Sequence, residues 1–164
     1  MAKFKFEFDG LEDYLKQLDD MDKSATGMIK RAVYDGAAVI ADAIKGQISA
    51  LPTNDGKFVP EDLPIVGITE RQKAGLLEGF GIAKMTNEGG FIGTKVGFDG
   101  YNSERTQRYP NGQPNAMIAN AINSGTSRRP KTSFVTKAVK SAQGRAVSAM
   151  EARFDEDMKN LTGE

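Results

Sequence analysis

The chain has 164 residues, enough for one domain that buries roughly two-thirds of its unfolded surface. Its 22 basic and 22 acidic residues cancel, so net charge alone recruits neither nucleic acid nor a membrane surface. It has no cysteine and no histidine, which excludes disulfides, thiolate nucleophiles, Ser-His-Asp and Cys-His arrangements and the commonest transition-metal ligand. An enzyme would be left with carboxylate, lysine or tyrosine chemistry. No run approaches the ~18 apolar residues of a membrane span. The opening MAKFKFEFDG lacks a signal peptide's continuous apolar core, so a cytoplasmic origin without a membrane partner is expected.

Phe4, Phe6 and Phe8 alternate with Lys3, Lys5 and Glu7, the period of a half-buried strand, either in the chain's own sheet or at an edge open to another subunit. Asp9 and Glu12 have capping-box spacing for a helix with Leu11, Tyr14, Leu15 and Leu18 on one face. Asp19, Asp20 and Asp22 lack the glycine and terminal glutamate of a calcium loop and read as the end of that helix. A longer helix is predicted from about Ser24 to Ala50, with Ile29, Val33, Ala37, Ile40, Ile44 and Ile48 as its apolar stripe and Pro52 as its stop. Gly36 and Gly46 within it are weak points or places of close backbone approach.

Residues 52–68 hold three prolines and an Asn-Asp-Gly turn signal and read as a long loop, a feature that is usually functional or disordered. Thr69 and Gln72 have capping-box spacing for a short helix to about Glu78. Phe80 and Ile82, a turn at Asn87–Gly90, and the alternating Ile92, Thr94, Val96 and Phe98 predict a hairpin. Gly75, Gly79 and Gly81 match neither a phosphate loop nor a dinucleotide fingerprint and read as turn glycines. A second long loop covers residues 99–115.

The stretch Asn115–Val139 is the most specific. It places a short apolar helix, a stop at Gly125, a basic loop of Arg128, Arg129 and Lys131 stiffened by Pro130, and a helix opening at Phe134. The last helix, about Ser133 to Leu161, has Val135, Val139, Ala142, Ala146, Met150, Phe154, Met158 and Leu161 on one stripe. The fold class is therefore α+β: a small, mainly antiparallel sheet packed by two long helices, with long loops, in one domain over residues 1–164.

Charge is uneven along the chain. Arg105, Arg108, Arg128, Arg129, Lys131, Lys137, Lys140 and Arg145 lie in a segment, 105–150, that has no acidic residue. A solvated surface, a contact between basic and acidic patches of neighbouring copies, and contact with a DNA backbone all fit this pattern. No aromatic residues interleave the cations closely enough to argue for base stacking.

The order of these pieces resembles the head–tail joining, or tail-completion, proteins of long-tailed bacteriophages and prophages. The resemblance is carried by Gly10-Leu11, by Leu51-Pro52 closing a long helix, by Ala74-Gly75-Leu76-Leu77, and above all by Gly125, Thr126, Ser127, Arg128, Arg129, Pro130, Phe134, Ala138 and Val139. Asn123 stands where that family often has glutamate, and Ser133 where it often has proline. The resemblance implies a structural virion protein, not an enzyme, with no cofactor. Such a subunit forms a ring in the neck or upper tail that helps join tail to capsid. Its partners would be further copies of itself as a ring homo-oligomer, neighbouring phage neck and tail proteins, and genomic DNA passing through the lumen. Its place would be the virion, after assembly in the host cytoplasm. Arg128, Arg129, Lys131, Arg105 and Arg108 are the expected assembly or DNA-lumen contacts, and Gly125, Thr126, Ser127, Pro130 and Phe134 the family-motif loop. The competing expectation is a small nucleic-acid-binding accessory protein using the basic segment 105–150, against which a pI of about 6.4 weighs.

Overall fold

Two helices of unequal length organise the chain. A computed structural model describes residues 11–57 and 59–162. Helix α1 runs without a break over Leu11–Ala50, and the last helix, α4, over Phe134–Thr162. Arg31 meets Asp157 and Asp35 meets Arg153, so the two run antiparallel. The expected break near Asp19–Ser24 is absent. Nothing in that stretch is proline, and an aspartate in a helix interior costs only a few tenths of a kcal/mol, less than interrupting the hydrogen-bond ladder. The expected strand at Phe4, Phe6 and Phe8, and the Asp9 cap, lie outside the described residues.

Small residues set the α1/α4 contact. Met28, Ala32, Ala41, Ile44 and Ile48 are buried on α1, and Phe134, Ala138, Ala142 and Ala146 on α4. Gly36 is a true close approach: a Cβ there would come within 2.5 Å of the Met150 side chain. Gly46, by contrast, faces open space. The larger residues assigned to the stripes flank this seam instead. Ile29, Val139, Phe154 and Leu161 are exposed, which corrects the expected apolar faces at the far ends of both helices and at Val139 near the start of α4.

Between the long helices the chain builds short elements against the C-terminal end of α1. Strand β1 (Thr53–Asn54) pairs in parallel with β2 (Ile68–Thr69), closing the 52–68 loop at its base. Helix α2 (Glu70–Glu78) follows, with both halves of the expected capping box in place: the Gln72 N–H donates to Thr69 Oγ1 at 3.1 Å and the Thr69 N–H to Gln72 Oε1 at 3.2 Å. The hairpin is present but split. Strand β3 (Phe80–Ile82) pairs with β6 (Val96–Phe98), and β4 (Thr86–Glu88) with β5 (Phe91–Gly93), both antiparallel. Between the two ladders residues 83–85 face only 94 and 95, an unequal spacing that interrupts the expected continuous strand. Gly89 and Gly90, at φ 59° and 86°, make the two-residue turn that joins β4 to β5.

Helix α3 (Asn115–Ser124) completes the third layer. The core lies where this layer meets the long helices. Ile48, Ile68, Leu76 and Phe134 are its largest apolar members with almost no exposure, joined by Phe80, Ile118 and Ile122. Phe98 bridges the sheet to α4, with ring centroids 4.9 Å from Phe80 and 6.4 Å from Phe134. Among the described residues no helix is long and apolar enough to cross a membrane.

Asp157 is the polar fastening of the arm that α1 and α4 form beyond this core. Its carboxylate accepts from Arg31 Nε at 2.8 Å and lies 3.6 Å from Arg153 Nε. The hydrogen bond from Arg31 holds its pKa below the ordinary aspartate value. A depressed folded-state pKa stabilises above the unfolded pKa and ceases to do so as pH falls through the folded one. Asp157→Asn is therefore expected to lower the melting temperature at pH 7, with the gap to the parent closing below about pH 4. Thermal unfolding monitored by circular dichroism at pH 7 and in acid measures this.

Candidate assembly site

The loop from Gly125 to Ser133 is a folded joint. Gly125 sits at φ 80° and ψ 171°, an extended conformation open essentially to glycine alone, and so stops α3 as expected. Thr126 organises the next residues: its Oγ1 accepts from the Arg129 N–H at 3.1 Å, and its own N–H donates to Arg129 O at 2.9 Å. Thr132 Oγ1 donates to Ile122 O at 2.8 Å, returning the chain to α3.

The expected exposed basic tip is instead half-buried at both arginines. Arg128 donates through Nη2 to the carbonyls of Val59 at 2.8 Å and Pro60 at 2.7 Å, and Arg129 through Nη1 to Gly67 O. Burial pulls the Arg129 guanidinium below its usual pKa, while leaving it charged over any accessible pH. Both side chains staple the 52–68 loop, and the Ile65 N–H donates to Arg128 O at 2.7 Å beside them. Proline-rich segments have few donors of their own, and a guanidinium supplies five to the carbonyls left over. Lys131 remains exposed at the tip.

Arg105 and Arg108 are exposed on the 99–115 loop, with Arg108 lying over the Tyr109 ring at 5.7 Å from its centroid. The two basic loops adjoin opposite ends of α3, so the five expected contacts do not form one cluster. Among the described residues no group of three or more acidic side chains is placed to hold a metal.

Two buried asparagines, which sequence reading passed over, build the 99–115 loop. Asn102 donates from Nδ2 to the carbonyls of Arg71 and Gln72, each at 3.2 Å, and accepts the Glu104 N–H at 3.0 Å. Asn115 donates to Asp99 O at 2.9 Å. Gly75 is glycine for this reason: a Cβ there would come within 2.2 Å of Asn102 Nδ2. An Asn on each side of a turn-rich segment, facing a glycine within a helix, was the only signal available. Asn102→Ala should cost about 1–3 kcal/mol, because the part-buried Glu104 N–H loses its acceptor and the Arg71 and Gln72 carbonyls lose their second donor. Chemical denaturation of the variant reads that loss directly.

No model of a protein family matches the chain, and no curated protein or solved structure matches it. Its departures from the phage pattern nonetheless have a local physical account. Asn123 Oδ1 accepts the Val135 N–H at 3.1 Å and its backbone O accepts the Ser133 N–H at 3.0 Å, so it ties the first turn of α4 to α3. Ser133 has φ 54°, which proline's fixed φ of about −65° forbids. Ser133→Pro should therefore destabilise by about 3 kcal/mol or more, whereas Ser133→Gly, free of the left-handed penalty, should match or exceed the parent by up to about 1 kcal/mol. Equilibrium unfolding of the two variants side by side gives both signs.

Proposed function

We propose that the chain is a structural subunit of a bacteriophage neck or upper tail, forming a ring that helps join tail to capsid. The β4–β5 hairpin carries this reading. It extends beyond the β3–β6 ladder, every β4 residue is exposed, and Phe91 beside its turn is 83% exposed. A two-stranded hairpin is marginal alone, and an aromatic so placed gains most when a neighbour covers it. A ring needs one surface to meet a different surface on the next copy, and the open β4 side of this hairpin, whose β5 strand lies against α1, is such a donor element. The Gly125–Phe134 joint supports the same reading, because the residues that carry the family resemblance together tie α3, α4 and the 52–68 loop into one unit. Lys131, Arg105 and Arg108 are then the exposed cations available to a neighbour or to DNA in the lumen.

A second reading, nucleic-acid binding as the main role, draws on Lys137, Lys140 and Arg145, all exposed on α4 together with Arg105 and Arg108. Light scattering with and without duplex DNA separates the two. A large symmetric oligomer indifferent to DNA is expected, with Phe91→Ser shifting it towards monomer while helix content by circular dichroism stays unchanged. A monomer with salt-sensitive DNA affinity would replace the ring reading by the second one.

A further inference from the structure

Helix α4 carries its outward charges in two blocks. α1 packs along the helix and α3 meets it near its start, and the face turned away from both is exposed. On that face Lys137 and Lys140 lie towards the core, and Glu151 and Asp155 towards the tip of the arm. Among the described residues none of these four has an ion-pair partner within the chain. Apolar side chains accompany them: Val139 is 37%, Val147 49% and Phe154 39% exposed. With Ile29, Val33 and Met150, Phe154 also lines a hollow of about 530 Å³ between α4 and α1, edged by Glu151 and Asp155.

Helical spacing makes this face complementary to itself. Lys137 and Asp155 are about five turns apart, Lys140 and Glu151 about three, and Val139 and Phe154 about four, so each pair lies close to one line of the helix surface. The midpoints of the three pairs coincide to within about one residue, at the level of Ala146. A second α4 turned end for end about that level keeps each flank facing the same flank of the other copy, so residues on one line meet. Lys137 then faces the other copy's Asp155, Lys140 its Glu151 and Val139 its Phe154, and every contact occurs twice. A parallel pairing would set each block against its own kind, which like-charge repulsion disfavours. The core packs on the opposite side of α4, through Phe134 and Ala138, and stays clear of the second copy. Gly144 lies exposed beside the midpoint, and a Cβ there would meet nothing in its own chain. The single chain has no packing use for that mid-helix glycine, whereas a second backbone gains closer approach from it.

We propose that two copies of the chain pair through α4, antiparallel about a twofold at Ala146. Each lays Val139 and its basic half over the hollow and acidic rim of the other. The pair closes at two copies, uses no residue of the hairpin and does not rest on the ring reading.

The twofold allows a test that no ring contact imitates, because only there does a residue meet its own copy. Val147 is about one residue from it. In this cysteine-free chain, Val147→Cys under mild oxidation should give a thiol-reversible dimer in most molecules on non-reducing gels. Ser148→Cys, exposed one step further round the helix, should stay monomeric. No dimer from Val147→Cys, or equal dimer from both, overturns the pairing. Charge exchange tests the register in solution. By sedimentation equilibrium the Phe91→Ser chain, without the hairpin's aromatic, should stop at a dimer. In that background Lys140→Glu and Glu151→Lys should each raise the dissociation constant about tenfold or more, with helix content unchanged. Mixed in equal amounts, the two variants should recover the parental affinity, because opposite charges then face each other at both contacts. A monomeric Phe91→Ser chain, reversals without effect, or a mixture no tighter than its parts would each overturn the proposal. A parent that is itself a dimer would sink the ring and support the pair. A parent of ring mass without the Val147→Cys link would do the reverse.

Discussion

The architecture depends on how closely α1 and α4 approach. Ala32 and Gly36 on one side, and Ala142 and Ala146 on the other, leave room for backbones rather than side chains at the seam. Close packing of small residues gives dense van der Waals contact but removes little apolar area per residue, so the pair gains modestly from each one. The larger gain comes at one end, where Ile48, Leu76, Ile68 and Phe134 interlock with the short elements. The molecule is thus a packed head with a two-helix arm, and the head fixes the angle at which the arm leaves it.

Polar side chains do in the loops what apolar ones do in the head. The prolines of 52–68 and the turns of 99–115 leave carbonyls without helical or sheet partners. Arg128, Arg129 and Asn115 answer them from across the fold, over sequence separations of up to 69 residues, while Asn102 fastens its own loop to two carbonyls of α2. A buried amide or guanidinium satisfied on several sides specifies one loop conformation, because any alternative leaves costly groups unpaired. Loops that composition alone would class as variable are therefore tied to the same joint that launches α4.

Local chemistry was legible in the sequence, and face selection was not. The Thr69–Gln72 capping box, the Gly125 stop, the α2 boundaries and the α+β class all rest on signals a few residues long, and each appears in the structure. The apolar stripes failed at Ile29, Val139 and Phe154 because periodicity weights large side chains, while this seam selects small ones. The burial of Arg128 and Arg129 was hidden because their acceptors are carbonyls, which every residue has. Asn102 was hidden for the converse reason: its function depends on a missing Cβ at Gly75. Of the five cations read as contacts, exposure leaves Lys131, Arg105 and Arg108 in that role.

The arm also has a consequence in time. Arg31 and Asp157 are separated by 126 residues, so the contact that fastens α1 to α4 is among the most distant in the chain. Bringing such partners together carries a closure entropy that grows with the intervening length, and contacts of this kind slow folding. The head shortens that loop once α3 and the Gly125–Ser133 joint are formed, which makes arm closure a late event that follows the core. During synthesis α1 emerges before α4, so Met28 and Ala32 stay wet until α4 has been made. For that interval the nascent chain presents an amphipathic helix without its mate, the kind of surface that chaperones hold and that sister chains on a polysome aggregate through.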